Sequence, residues 1–297
     1  MTKFSKTNLI PVAVMALIGV SAATAQAAPQ NYTMTMNVCT GGAASTFSGS
    51  APFCRLTPDK YEVTIYEMGF CTAHPFDDGV TTTTTMDKST CTTVFTNTAG
   101  STVDIVAALG ATSTLEGTAT RPADGTYKYP YMIMDSEFTI SGSVLGVSGT
   151  AQASTTYYTD STGTPNTAAA EDYAYTLANL GPSMGGTPTC YSGSIDQTGT
   201  AGTIDAYLTN TSLVRRDESD LVTVSSVTSC TNADRLIGVM DLDTPFTVTP
   251  KTLQVIFAFD VTDQGLRVMS DNSGSTGAVV AIESGPFSGN FSVVNGG

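Results

Sequence analysis

The sequence contains no tryptophan, a single histidine and only 12 lysines and arginines among its 297 residues. Stacked indole rings commonly line sugar-binding clefts, so the lack of tryptophan disfavours such a cleft, although 12 tyrosines could take their place. One histidine and the lack of any Cys-x-x-Cys pair argue against a zinc site. Phosphate-binding loops, dinucleotide-binding fingerprints and HExxH motifs are also missing. The sequence therefore gives no indication of a nucleotide-dependent or zinc-dependent enzyme.

Positive charge is scarce relative to negative charge. The 26 aspartates and glutamates give the chain a formal net charge of −14. Such a surface repels phosphate backbones and acidic membrane surfaces, so nucleic acid is excluded as a partner. Hydrophobic residues still make up 41% of the chain, which favours a folded core over a disordered chain.

Long apolar runs are confined to the start of the chain. Lys3 and Lys6 precede an apolar run at residues 9–20, and small residues follow up to Ala25-Gln26-Ala27. These three parts are typical of a secretory signal peptide, here residues 1–27. A membrane anchor is the alternative, but the apolar run is shorter than the roughly 20 residues that span a bilayer, and a proline interrupts it. We expect an extracellular, cell-surface or periplasmic protein with no membrane span after removal of this segment.

Six cysteines, an even number in an exported chain, favour three disulfides over free thiols. Many connectivities are possible, and proximity in the sequence is the only guide to the pairing. Together the three bridges would stabilise the fold by on the order of 10 kcal/mol, which rivals the net stability of a whole domain. The nearest-neighbour pairing joins Cys39 with Cys54, Cys71 with Cys91, and Cys190 with Cys230.

Polar and apolar residues alternate with a period of two along much of the chain, as in half-buried strands. Turn dipeptides such as Asp124-Gly125 and Gln264-Gly265 separate the runs. We predict a mainly β fold, an antiparallel β-sandwich or a barrel-like arrangement, stabilised by disulfides and with at most one short helix. The strand-like runs are residues 32–38, 61–66, 92–96, 102–106, 127–134, 137–144, 203–208, 221–227, 253–261, 266–269, 278–282 and 290–294.

Domain organisation is predicted from the absence of long repeats and charged linkers. We expect residues 28–297 to form a single β-rich extracellular domain. A stretch rich in Gly, Ser and Thr at residues 146–165 is a candidate boundary. Two β units, residues 28–149 and 150–297, are the alternative.

One stretch departs from the period of two. Asn166 and Thr167 are suitable caps for a helix at residues 168–180, and Gly181-Pro182 is a suitable stop. We predict this helix. A strand through residues 173–177 is the competing interpretation, because Tyr and Thr favour sheets.

The segment GPSMG at residues 181–185 matches the Gly-x-Ser-x-Gly pattern of many hydrolases. A nucleophilic serine in this pattern needs a preceding strand, a following helix and a histidine further along the chain. The only histidine, His74, precedes Ser183 in the sequence, and Gly186 and Pro188 make a poor helix start. We therefore interpret Ser183 as non-catalytic.

His74 itself is followed by Asp77-Asp78-Gly79 in a turn-rich segment. We interpret it as a solvated loop histidine beside a turn. A general base or a metal ligand next to two carboxylates is the alternative, but no second imidazole supports a transition-metal site.

Acidic residues provide weak candidates for two kinds of chemistry. Calcium takes oxygen ligands, but no acidic segment matches the EF-hand loop, so calcium is the only cofactor considered and is not expected. Two carboxylates on one groove could hydrolyse a glycosidic bond, although on alternating strands we interpret such acids as solvent-facing. The calcium candidates are Asp241, Asp243, Asp260 and Asp263, and the carboxylate candidates are Glu62, Glu67, Glu116, Glu137 and Glu283.

A threonine run at residues 81–85 suits an exposed or edge strand, which can pair with a strand of another chain. A solvated hairpin held by a Cys71–Cys91 bridge is the simpler interpretation. From the leader, the disulfides and the polar β-rich composition we expect a non-enzymatic structural or adhesive protein of a bacterial surface, whose partner is itself through strand edges, or an extracellular glycan. The alternative is a secreted carbohydrate-binding module or a glycoside hydrolase that uses two carboxylates.

Cleavage after the Ala25-Gln26-Ala27 site predicts a mature N-terminus near Ala28. Mass spectrometry of the protein recovered from outside the cytoplasm should find that terminus. Recovery of Met1 on the exported protein would contradict the signal peptide.

Overall fold

The computed structural model of the protein describes most of the chain, and its regular elements are almost entirely β-strands. Among the described residues there is one short 3-10 turn, Glu218–Asp220, and no α-helix. The described residues are 15–17, 37–39, 53–76, 85–109, 112–147, 150–180, 190, 195–196, 202–216, 218–224, 227–271, 277–285 and 287–296.

The strands are numbered in chain order. The first twelve are β1 (Met15–Leu17), β2 (Asn37–Val38), β3 (Phe53–Leu56), β4 (Lys60–Cys71), β5 (Cys91–Asp104), β6 (Thr112–Thr114), β7 (Thr118–Ala119), β8 (Gly125–Tyr127), β9 (Tyr129–Asp135), β10 (Glu137–Ser141), β11 (Ser143–Leu145) and β12 (Thr156–Tyr158). The others are β13 (Tyr173–Thr176), β14 (Ile195–Asp196), β15 (Gly202–Thr209), β16 (Leu221–Val224), β17 (Val227–Cys230), β18 (Arg235–Leu242), β19 (Phe246–Val248), β20 (Thr252–Asp260), β21 (Leu266–Ser270), β22 (Val279–Ser284) and β23 (Ser288–Asn295).

The largest sheet is antiparallel and runs in the order β13-β10-β4-β9-β18-β15-β14, with β5 paired to β4 and β7 to β5. Its central strand, β4, shows why the period of two predicts strands. Tyr61, Val63 and Ile65 are buried on one face, and a register shift between Ile65 and Glu67 then brings Met68 and Phe70 to that face. An irregularity of this kind re-aims the side chains that follow it.

A second layer covers the inner face of this main sheet. It consists of the four-stranded sheet β2-β3-β21-β22 and the two-stranded ribbon β20-β23. Aromatic rings join the layers: the ring centroid of Phe70 lies 5.8 Å from that of Phe257 and 5.5 Å from that of Phe291. The predicted mainly β, antiparallel and disulfide-linked fold is confirmed, and its packed sheets are sandwich-like.

The predicted helix at residues 168–180 is wrong, because this stretch contains β13. The side chain of Asn166 does accept hydrogen bonds from the backbone N–H groups of Ala168 and Ala169, at 2.8 and 3.2 Å, as a helix cap would. The chain then becomes extended, and β13 pairs with β10 with Tyr173 opposite Ile140. Backbone bonding to the edge of β10 and the preference of tyrosine for sheets outweigh the local cap.

The main sheet draws strands from both sides of residue 149, since β4, β5, β9 and β10 precede it and β13, β15 and β18 follow it. Within the predicted signal peptide, β1 pairs with β6, with Met15 opposite Thr114. The segment 181–189, which includes Ser183, lies outside the described residues, as do residues 77–84, which include most of the threonine run. Thr85 is described, and its backbone bridges to Val214.

Three disulfides fasten this architecture. Cys39–Cys54 joins the start of β3 to the residue after β2, and Cys71–Cys91 joins the last residue of β4 to the first residue of β5, directly opposite it in the pair. Cys190–Cys230 links the end of β17 to a residue 40 positions earlier, with the two Cα atoms 5.8 Å apart. The three bonds use all six cysteines, in the nearest-neighbour pairing.

Replacement of both Cys190 and Cys230 by alanine should lower the free energy of unfolding by about 3 to 4 kcal/mol, because their bridge closes the longest of the three loops. Urea unfolding followed by circular dichroism measures the change. A matched control is the wild-type protein with its bridges reduced and alkylated, which should be destabilised more. A double variant as stable as the wild type would contradict a structural role for this bridge.

Candidate functional site

The outer face of the main sheet carries a second, smaller apolar cluster beneath the loop between β4 and β5. We call it the outer-face cluster. Phe76 and Met86, from the loop closed by the Cys71–Cys91 bridge, pack onto the sheet, and the backbone N–H of Met86 donates to the carbonyl of Leu213 at 3.0 Å. Its buried members are Cys71, Phe76, Met86, Tyr131, Ile133, Tyr207, Ile237 and Val239.

His74 lies at the edge of this cluster and is buried, with 7% of its side chain exposed. Its Nε2 lies 3.4 Å from Oδ2 of Asp205, whose side chain is 12% exposed. Its Nδ1 lies 2.6 Å from the carbonyl oxygen of Phe76 and 3.2 Å from the backbone nitrogen of the same residue. The rings of Tyr129 and Tyr207 contact the imidazole edge to face, with centroids 5.3 and 6.2 Å away. The fold thus holds the imidazole between the backbone of Phe76 and the carboxylate of Asp205.

The interpretation of His74 as a solvated loop residue is therefore wrong. Asp205 lies on β15, far from the loop in sequence, and the fold brings it to the imidazole because the loop closes over β15. Asp77 and Asp78, the nearer acids, lie outside the described residues, as does Ser183. The acid that orients His74 thus comes from a strand whose sequence gave no signal of this role.

A second polar network surrounds Glu67 on the same face. Lys88 donates to both of its carboxylate oxygens at 2.9 Å, and Thr93 and Tyr131 donate to Oε1 at 3.0 and 2.6 Å. Burial first, and then the bond to Glu67, raise the pKa of Tyr131 well above its ordinary value. Gly69 permits this arrangement, because a Cβ there would lie 2.5 Å from the ring of Tyr131. The carboxylate of Glu67 is thus bound by side chains from β5, from β9 and from the loop between β4 and β5.

Other predicted acidic residues are also paired with bases. Glu62 lies 3.2 Å from Nζ of Lys60, which also lies 2.6 Å from Asp172. Glu283 forms an ion pair with Arg267 across strands β22 and β21. The negative charges of Glu62 and Glu283, in two different sheets, are thus each compensated by a neighbouring base.

The calcium candidates lie in two separate parts of the fold. Asp241, on β18, forms an ion pair with Lys128, whose Nζ lies 2.7 Å from Oδ1 of Asp241. Asp243 follows that strand. Asp260 ends β20 and accepts from the backbone N–H of Thr262 at 2.8 Å, so it shapes the turn that contains Asp263. Within the described ranges, no three His, Cys, Asp or Glu side chains form a group that could hold a metal ion.

Sequence reasoning missed the residues that meet where β13 and β22 approach each other. Tyr61 reaches across the core, and its hydroxyl lies 2.8 Å from that of Ser284. Tyr173 and Tyr175 present their rings edge to face, 6.0 Å apart. Burial first, and then Glu283, raise the pKa of Tyr175 to about 12. Alternation placed Tyr61 on a strand, whereas Tyr173 and Tyr175 fell within the predicted helix, and no local pattern shows which strands face each other.

Comparison with known proteins finds no matching family model, no matching curated protein and no matching solved structure. In the part of the chain that the structure describes, no helix is long and apolar enough to cross a membrane.

Asp205→Asn should lower the free energy of unfolding by about 1 to 3 kcal/mol, because it removes the charge that faces a buried imidazole. The matched control is Asp241→Asn, which removes a charge from a pair whose side chains are 35 to 36% exposed and should cost less than about 1 kcal/mol. Urea unfolding of both variants gives the comparison. Equal effects would contradict the structural importance of the His74–Asp205 contact.

Proposed function

We propose that the protein is a non-enzymatic structural or adhesive protein of a bacterial surface. The observation that carries this proposal is that the side chains capable of acid–base chemistry, Glu67 and His74, are held by neighbouring residues of the fold. Glu67 accepts four hydrogen bonds from Lys88, Thr93 and Tyr131, and His74 is held between a carboxylate and a carbonyl. Groups bound in this way hold loops and strands together, whereas a general acid or base must exchange protons with a substrate.

The proposed location outside the cytoplasm rests on two independent features. Residues 1–27 have the three parts of a signal peptide. Three disulfides join residues in different elements, and such bonds persist in oxidising compartments. A protein exposed outside the cell gains persistence from covalent links, because its fold must survive without repair by cytoplasmic chaperones.

Self-assembly through a strand edge is the adhesive mechanism that we propose. Within the described residues, β13 pairs with β10 along one side and has no strand along the other. Ala174 and Thr176 are exposed on it, and an edge of unpaired backbone groups is a template for another strand. We therefore propose β13 as the assembly edge, because the one described residue of the threonine run, Thr85, already bridges to Val214.

Binding of an extracellular glycan is the second candidate, favoured by Tyr173 and Tyr175. Both rings are half-buried at the margin of the core, beside the carboxylate of Glu283. Tyrosine faces can stack on sugar rings, and tyrosine hydroxyls can bond to them.

Assembly predicts ordered polymers of the purified mature protein under negative-stain electron microscopy. Ala174→Lys should reduce them strongly, because a charged side chain on an edge strand opposes the addition of another strand. The matched control is Ala168→Lys, which adds the same charge to an exposed loop residue and should leave the polymers intact. Dispersed particles of the wild type at high concentration would contradict assembly.

A further inference from the structure

Three charged residues form a row across the second layer. We call it the arginine row: Arg55 on β3, Arg267 on β21 and Glu283 on β22. Arg267 lies directly opposite Arg55 on one side and directly opposite Glu283 on the other. Residues directly opposite each other in antiparallel strands project from the same face of the sheet. Two guanidinium groups and one carboxylate therefore share a single face.

The charges of the row are not balanced. Glu283 pairs with Arg267, with their side chains 28% and 19% exposed, while the half-buried Arg55 makes no side-chain hydrogen bond or ion pair among the described residues. The Nε atoms of both arginines are buried and have no hydrogen-bond partner there. Like charges directly opposite each other destabilise a sheet, and a buried donor without an acceptor costs further free energy. The row therefore carries one more positive group than negative groups.

The nearby chain does not supply a balancing anion. The segments outside the described residues that adjoin these strands, 40–52 and 272–276, contain no aspartate or glutamate, and neither do residues 1–36. Acids are abundant elsewhere, and six other bases each pair with a carboxylate: Lys60, Lys88, Arg121, Lys128, Arg216 and Arg235. An imbalance at Arg55 in so acidic a protein is thus a local property of this face.

Aromatic groups border the row. The guanidinium carbon of Arg267 lies 5.3 Å from the ring centroid of Phe53. Tyr173 and Tyr175 lie within electrostatic range of Glu283, and Tyr175 also within range of Arg267. At neutral pH the buried hydroxyl of Tyr175 keeps its proton, so it remains a hydrogen-bond donor. The margin of the row thus combines forked cationic donors with aromatic faces.

We propose that the arginine row binds the carboxylate of an acidic sugar, a uronic acid residue of an extracellular glycan. Guanidinium groups bind carboxylates through two parallel hydrogen bonds. The carboxylate of the sugar would be the negatively charged partner that Arg55 does not have within the described residues. Tyr173 and Tyr175 provide faces for the sugar ring. This inference rests on the proposed binding of an extracellular glycan and names its ligand class, but it does not depend on assembly through β13, because a dispersed chain presents the same row.

The binding test is isothermal titration of the mature protein with tri-galacturonate, with galactotriose as the neutral analogue. The wild type should bind the acidic sugar and not the neutral one. Arg55→Gln should weaken binding about tenfold or more, because it removes charge-assisted hydrogen bonds. The matched control is Lys251→Gln, which removes one positive charge from an exposed turn residue and should leave the affinity unchanged.

Three results would overturn the proposal: no binding by the wild type, equal losses in Arg55→Gln and Lys251→Gln, or equal affinity for acetate. The last of these would show a site for any small carboxylate rather than for a sugar.

Stability provides a readout that needs no ligand. Arg55→Met should keep or raise the denaturation midpoint without ligand, because it removes an uncompensated, half-buried charge. Arg267→Met should lower the midpoint, because it leaves Glu283 unpaired. If Arg55→Met destabilises the fold as much as Arg267→Met, Arg55 serves the fold and the proposal fails.

Discussion

Burial of the inner face of β4, joined at its C-terminal end by burial of the outer face, is the constraint on which the rest of the structure depends. Its inner face packs Tyr61, Val63 and Ile65, and then Met68 and Phe70, against the aromatic rings of the second layer. Its outer face would be exposed without the loop that follows it. The second layer of strands covers the inner face of the sheet. Part of the outer face is covered by the loop between β4 and β5, which a disulfide closes. The Cys71–Cys91 bridge therefore does more than shorten a loop, because it holds the cover of the outer-face cluster in place.

Polar groups on the outer face follow from the same constraint. Where the loop covers the sheet, the carboxylates of Glu67 and Asp205 need hydrogen-bonding or ionic partners from the protein. Glu67 obtains its donors from β5, β9 and the loop, and Asp205 obtains the imidazole of His74. Groups of acidic, basic and hydroxyl side chains that resemble catalytic sites are therefore expected wherever a loop covers charged residues on a sheet. The partners that the carboxylates of Glu67 and Asp205 already have within the fold distinguish them from groups that await a substrate.

Local sequence patterns predicted most of the strands. Contacts between residues far apart in sequence determined the conformation of residues 168–180 and the partners of the candidate site residues. The alternation at residues 61–66 lies within β4 as predicted, because side-chain period depends only on the backbone of that segment. The stretch at 168–180 failed because its local signals for a helix compete with the edge of β10, which lies outside any local window. The His74–Asp205 and Arg55–Arg267 contacts join residues far apart in sequence, so no spacing rule could find them. The cysteines are the exception, because their chemistry makes partners of otherwise unrelated positions.

Net charge and local charge carry different information in this protein. A formal charge of −14 describes how the whole molecule repels anions at a distance, and salt weakens that repulsion beyond about 10 Å. Binding at the arginine row depends instead on groups in contact, where a half-buried guanidinium is screened little and can be compensated only by an anion that reaches it. The acidic surface then favours selectivity, because it disfavours polyanions that cover a wide area and tolerates one carboxylate on a narrow ligand. Among the described residues, the carboxylates of Glu67 and Asp205 beside the outer-face cluster have partners within the fold, whereas the arginine row leaves one charge without a partner at the margin of the sandwich. That difference is why the row, rather than the histidine, is the place where the structure points to a ligand.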